Sequence, residues 1–161
     1  MQEFYYKKSI DRRPLQVPHE AAFHCIMQTL TFSTTFDILD DIRTFVGEQA
    51  REAGFNPKDV YSIQLAADEA ASNVIEHAYD GKPNEKFEVS CEFRTDRLIV
   101  TLLDHGKAFD PSQVEEPDLK ANLLDRKIGG LGIYLMRKLM DEVRYESTQT
   151  GNLLTLVKRK G

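Results

Sequence analysis

Three clusters in this sequence combine residue types and spacings that could do chemistry. The first is AADEAASNVIEH, residues 66–77, in which Glu69, Asn73 and His77 step by four. On a helix each such step drifts only about 40°, so the three polar groups run along one side. Ala67, Ala70, Ala71, Val74 and Ala78 form a narrow apolar stripe beside them, and partly buried polar groups at its edge need partners. The second cluster, LLDHGKAFD at residues 102–110, ends an apolar run on Asp104 and follows it with Gly106. A carboxylate only accepts hydrogen bonds, so Asp104 suits an exocyclic amine such as that of adenine, and the glycine lets backbone approach a ligand closely. The third, Gly129-Gly130-Leu131-Gly132, opens a helical pattern. Free amides and the positive end of a helix dipole make a natural phosphate site there. Taken singly, each cluster has an ordinary reading as well: a solvated helix face, a turn after a strand, a loop before a helix.

The elements that must position these groups are legible from periodicity. Residues 1–23 mix charge, aromatics and prolines without a period and read as an arm. Residues 24–32 read as a strand, and Ser33-Thr34-Thr35 offers caps for a helix carrying Phe36, Leu39, Ile42, Phe45 and Val46, closed by Gly54. Asn56-Pro57 starts a second helix that runs to about Tyr79, where Asp80-Gly81-Lys82-Pro83 breaks it. Residues 87–93 and 98–103 are predicted strands around a hairpin turn. Residues 110–128 form a long polar loop, of the kind that is usually functional. A helix to Met140 follows, then strands at 142–147 and 152–158 around Thr150-Gly151. Strands joined by short turns predict an α+β fold: a two-layer α/β sandwich whose mixed, mostly antiparallel sheet carries helices on one face.

With 161 residues and 41% hydrophobic side chains, the chain suits one domain with a proper core. No apolar run approaches a membrane span, the mean hydropathy is -0.44, and the start lacks a secretory signal. The net charge of -5 demotes direct binding of nucleic acid. Cys25 and Cys91 lack metal-like spacing and are expected as buried free thiols of a reducing cytoplasm.

In order and spacing the three clusters together resemble the ATP-binding domain of the GHKL superfamily, the Bergerat fold. Glu69-x-x-x-Asn73 looks like its N box, Asp104-x-Gly106 like its G1 box and Gly129-Gly130-Leu131-Gly132 like its G2 box. DEAASN…HAY at 68–79, FDP at 109–111 and GGLGIYLM…LMDEV at 129–143 are similar to the anti-sigma factor serine kinases of the RsbW and SpoIIAB type. This resemblance covers about residues 24–160 and assigns them to an ATP-binding kinase domain, 24–161. It implies ATP and Mg²⁺, with Asn73 binding the metal, Asp104 taking the adenine amine with help from Thr155, and Gly106 allowing close approach. It also implies a lid over about 111–128, phosphates held by Gly129, Gly130, Leu131 and Gly132 with Arg126 or Lys127 reaching them, and Glu69 as general base. Lys107-Ala108 departs from the superfamily's Asp-x-Gly-x-Gly pattern. The implied activity is phosphorylation of an anti-anti-sigma STAS protein, coupled to sequestration of a sigma factor by a cytoplasmic homodimer. A nucleotide-binding regulatory module without phosphotransfer is the alternative. A histidine kinase would need a dimerisation helix pair, and a topoisomerase or MutL relative would need further domains.

Overall fold

The structure is a computed structural model and describes residues 26–108 and 130–161. Strand propensity and tight turns build a five-stranded sheet from β1 (Ile26–Ser33), β2 (Lys86–Arg94), β3 (Arg97–Asp104), β4 (Glu142–Thr148) and β5 (Gly151–Arg159). Their order in space is β1-β2-β3-β5-β4. Every described strand pair is antiparallel, so the expected mostly antiparallel sheet is here antiparallel throughout. Two-residue turns set the registers Arg94↔Arg97 and Thr148↔Gly151. Along β3, Leu98, Val100, Leu102 and Asp104 alternate into the interior, so period two alone delivers a carboxylate to the end of an apolar row.

The helices α1 (Leu39–Glu52), α2 (Pro57–Asn73) and α3 (Leu131–Leu139) form the second layer. α1 ends in a Schellman motif: Gly54 is left-handed at φ 80°, its amide meets the Arg51 carbonyl, and the Phe55 amide meets Ala50. α2 starts on Asn56, whose side chain accepts from the Asp59 amide, with Pro57 at the first position. The predicted threonine cap fails at α1. Phe36–Ile38 forms a 3-10 turn first, and Thr35 makes no capping bond. Thr34 is instead buried, donating to the Lys82 carbonyl and accepting from the Glu85 amide, because the chain after α2 passes over the end of β1. Ala66, Ala67, Ala70 and Ala71 are fully buried, so α2 lies close to its neighbours. Cys91 is a buried thiol pushed up to about 12 by its burial, and is inert; Cys25 lies outside the described residues.

Candidate active site

α2 carries Glu69 and Asn73, and the helical segment runs on to Ala78, as expected in length, but changes type beyond Asn73. Val74–Ala78 is a π-helical turn, closed by the Tyr79 amide on the Val74 carbonyl at 3.2 Å. The wider turn changes the phase of the helix, so the row of four-residue steps stops at Asn73. Ala78 reaches the cleft and His77 stands exposed outside it.

The cleft lies between α2 with the turn that follows it, α3, and the helix-covered face of β3, β5 and β4. Its space is about 590 Å³, including the part open to solvent. Val74, Ile133, Met136, Val143 and Leu154 make it apolar inside, as a flat base requires. Asn73 and Asp104 supply polar groups, while Lys107 and Arg137 line it with positive charge. Lys107 pairs with Asp80, which is thereby held below the usual carboxylate range.

Gly132, in the first turn of α3, faces Glu69 and Asn73. A Cβ there would lie 2.7 Å from Glu69 Oε2 and 3.7 Å from Asn73 Oδ1. A side chain at 132 would therefore fill the cradle between the carboxylate, the amide oxygen and the helix N-terminus. Gly130, left-handed at φ 83°, turns the chain into α3, whose first amides have no carbonyl of their own helix to meet. Leu131 is exposed at that start. Burial first, then the charges of Asp68 and Glu76, raises the pKa of Glu69.

Asp104 is 4% exposed, and its Oδ1 accepts from the Gly106 amide and from Asn152 Nδ2, both at 2.9 Å. Gly106 is obligatory: a Cβ would overlap the Ala78 carbonyl, and the Lys107 amide donates to that same oxygen at 2.8 Å. The Tyr79 hydroxyl accepts from the His105 amide and donates to the Lys86 carbonyl, tying this turn to the helix end. Burial pushes the Tyr79 phenol up, so it stays a donor.

Thr155 does not join this group. It pairs with Thr101, one residue out of phase with Asn152 and Leu154, and so faces the other side of the sheet. The neighbour of Asp104 is Asn152, which the sequence reading missed. Counting back by twos from Leu154 along β5 would have found it. Lys127, Arg126, Gly129 and the proposed lid, 111–128, lie outside the described residues, as do Phe109 and Asp110.

An antiparallel sheet under helices, with an Asn-bearing helix edge, an Asp-Gly turn and a glycine-led helix around one cleft, defines a GHKL-type ATP-binding domain. The profile of the histidine kinase-like ATPase domain matches residues 32–158. Serine-protein kinase RsbW of Bacillus pumilus is 37% identical over 112 residues, 66% of this chain and 69% of that protein. RsbW of Bacillus subtilis is 36% identical over 112 residues, 66% of this chain and 69% of that protein. Serine/threonine-protein kinase BtrW of Bordetella bronchiseptica is 32% identical over 130 residues, 80% of this chain and 90% of that one. The crystal structure of the RsbU and RsbW domains of a Mycobacterium tuberculosis protein superposes with a TM-score of 0.60 at 19% identity, over 83% of this chain. This chain spans 32% of that longer one, and the likeness bears on the fold. The chain belongs to the histidine kinase-like ATPase domain family, among the RsbW-type, ATP-dependent protein serine/threonine kinases.

Proposed function

We propose that this protein transfers the γ-phosphoryl group of ATP to a serine or threonine of an anti-anti-sigma protein of the STAS fold, and holds a sigma factor in the other state of a partner switch. The observation that carries the site assignment is the convergence of Glu69, Asn73 and Gly132 at the N-terminus of α3. Asp104 receives the adenine amine, the apolar interior takes the ring, and the first amides of α3 take phosphate oxygens together with Gly129 and Gly130. A hard amide oxygen beside an open cradle fits Mg²⁺, which favours few protein ligands plus phosphates and water. Asn73 would hold it, and when bound it neutralises phosphate charge. Glu69 positions the partner's hydroxyl and takes its proton as that oxygen bonds the γ-phosphorus, while the bond to the bridging oxygen breaks and ADP leaves. Its raised pKa suits a group that must accept a proton near neutral pH.

The relatives' names support the kinase activity, and the sequence resemblance supports the partner assignment; among the described residues no helix is long and apolar enough to cross a membrane. We place the protein in the cytoplasm as a homodimer on the same resemblance. The test is radiolabel transfer from ATP to a STAS protein recovered with this chain, beside ATP binding by calorimetry. Transfer that requires Mg²⁺ supports the kinase. A wild-type protein that binds ATP and the partner yet never labels it supports the regulatory module instead.

A further inference from the structure

We infer that Asn152 sets the adenine selectivity of this site by fixing how Asp104 presents its carboxylate. The inference rests on the ATP reading above. Asn152 is 3% exposed and sits directly across from Asp104 in the β3–β5 register, on the same face. Its Nδ2 donates to Asp104 Oδ1 at 2.9 Å and also reaches the Gly106 and Lys107 carbonyls at 3.2 and 3.3 Å. One amide group therefore holds both the carboxylate and the backbone of the turn that follows it.

The orientation of that amide is fixed twice. The Ser147 hydroxyl donates to Asn152 Oδ1 at 2.9 Å, and a flipped amide would aim its oxygen at three other acceptors. Among the described residues, every hydrogen bond to the Asp104 carboxylate falls on Oδ1, so Oδ2 is left to the cleft that Asp104 lines. The amide is a neutral donor and keeps the facing carboxylate an acceptor. An acceptor at that point takes the 6-amine of a purine and opposes a 6-carbonyl, because two acceptors cannot share a hydrogen bond. Asn152 is thus a positioning residue, acting on the base through Asp104.

The test compares ATP with ITP, which reverse the purine edge at position 6 (amine against carbonyl) and at N1 (acceptor against N–H), by calorimetry with Mg²⁺ on the full chain. The wild type is expected to prefer ATP about tenfold or more, as loss of a hydrogen bond to a charged group implies. Asn152→Ala frees the carboxylate to rotate, and the ATP:ITP affinity ratio falls by about tenfold. Asn152→Asp sets a second carboxylate against Oδ1 where a donor stood, which drives the Asp104 carboxylate out of its fixed orientation, so the ATP:ITP ratio falls in this variant too. A ratio of affinities divides out the folded fraction, so a loss of stability cannot imitate this result. Equal losses for ATP and ITP, leaving the ratio unchanged in both variants, would overturn the inference. Wild-type protein that binds neither nucleotide would overturn the ATP reading, and this inference with it.

Discussion

Glu69 holds its proton more tightly than an exposed glutamate, because burial and two neighbouring carboxylates, Asp68 and Glu76, disfavour its charge. The same environment that makes it a better proton acceptor also strains the free protein. The pKa is raised on folding, so the folded state binds the proton better than the unfolded chain, and stability falls as pH rises through the usual 4.5 towards the raised value. Glu69→Gln removes that penalty while keeping shape. Its melting temperature should exceed the wild type's at pH 7–8, with the gap closing towards pH 4. A melting series in which the gap is absent at neutral pH would contradict the desolvated, crowded carboxylate. The same variant should keep ATP affinity within a few-fold while phosphoryl transfer drops by roughly 10²–10⁴. Undiminished transfer would remove Glu69 from the mechanism. Stabilisation and inactivation by one substitution are what a functional charge held at a cost predicts.

At the scale of elements, three glycines have separate duties, and alanine substitution separates them. Gly130→Ala must adopt φ 83°, which disfavours any side chain by about 1–2 kcal/mol. Urea unfolding should show that loss. Gly106→Ala forces backbone against the Ala78 carbonyl and should lower stability further, taking nucleotide binding with it as the Asp104 turn moves. Gly132→Ala overlaps only the flexible end of Glu69 and touches Asn73 at ordinary contact distance, so stability should hold nearly steady while transfer fails. If Gly132→Ala unfolds the chain as readily as Gly106→Ala, the cradle is structural rather than functional. These distinctions were partly legible beforehand. Asn56-Pro57, Gly54 and the Asp104-Gly106 turn are local signals whose physics acts within a few residues, and they appear where periodicity put them. The Thr35 cap and the Glu69–Asn73–His77 row failed for nonlocal reasons. Thr34 is claimed by a loop 48 residues away, and a π-helical turn, which leaves no mark on hydrophobic spacing, shifts the phase after Asn73. Thr155 failed by one residue of strand phase, since a slip of one exchanges the faces of a sheet.

For the whole molecule, the sheet order puts β5 between β3 and β4, which brings Asn152 beside Asp104 from 48 residues away and α3 against α2. No sequence period encodes that meeting; the motifs' chemistry indicated it only because all three made sense around one ligand. A nucleotide bound as proposed touches α2, the end of β3 and the start of α3 together, and unfolding must release it. At a ligand concentration about 100-fold above Kd, such linkage adds about 2.7 kcal/mol. For a domain near this size that corresponds to a rise of roughly 5–10 °C in Tm. ATP with Mg²⁺ should produce it, and EDTA should remove much of it. Asn73→Ala should respond to ATP alike with and without Mg²⁺, because its metal oxygen is gone, and Asp104→Ala should retain a metal dependence while losing most of the adenine contribution. Thermal melts of the wild type and the two variants, with and without ATP and with Mg²⁺ or EDTA, decide the matter. A Mg²⁺-dependent shift of full size in Asn73→Ala would move the metal to another group, and an undiminished shift in Asp104→Ala would move the base elsewhere in the cleft.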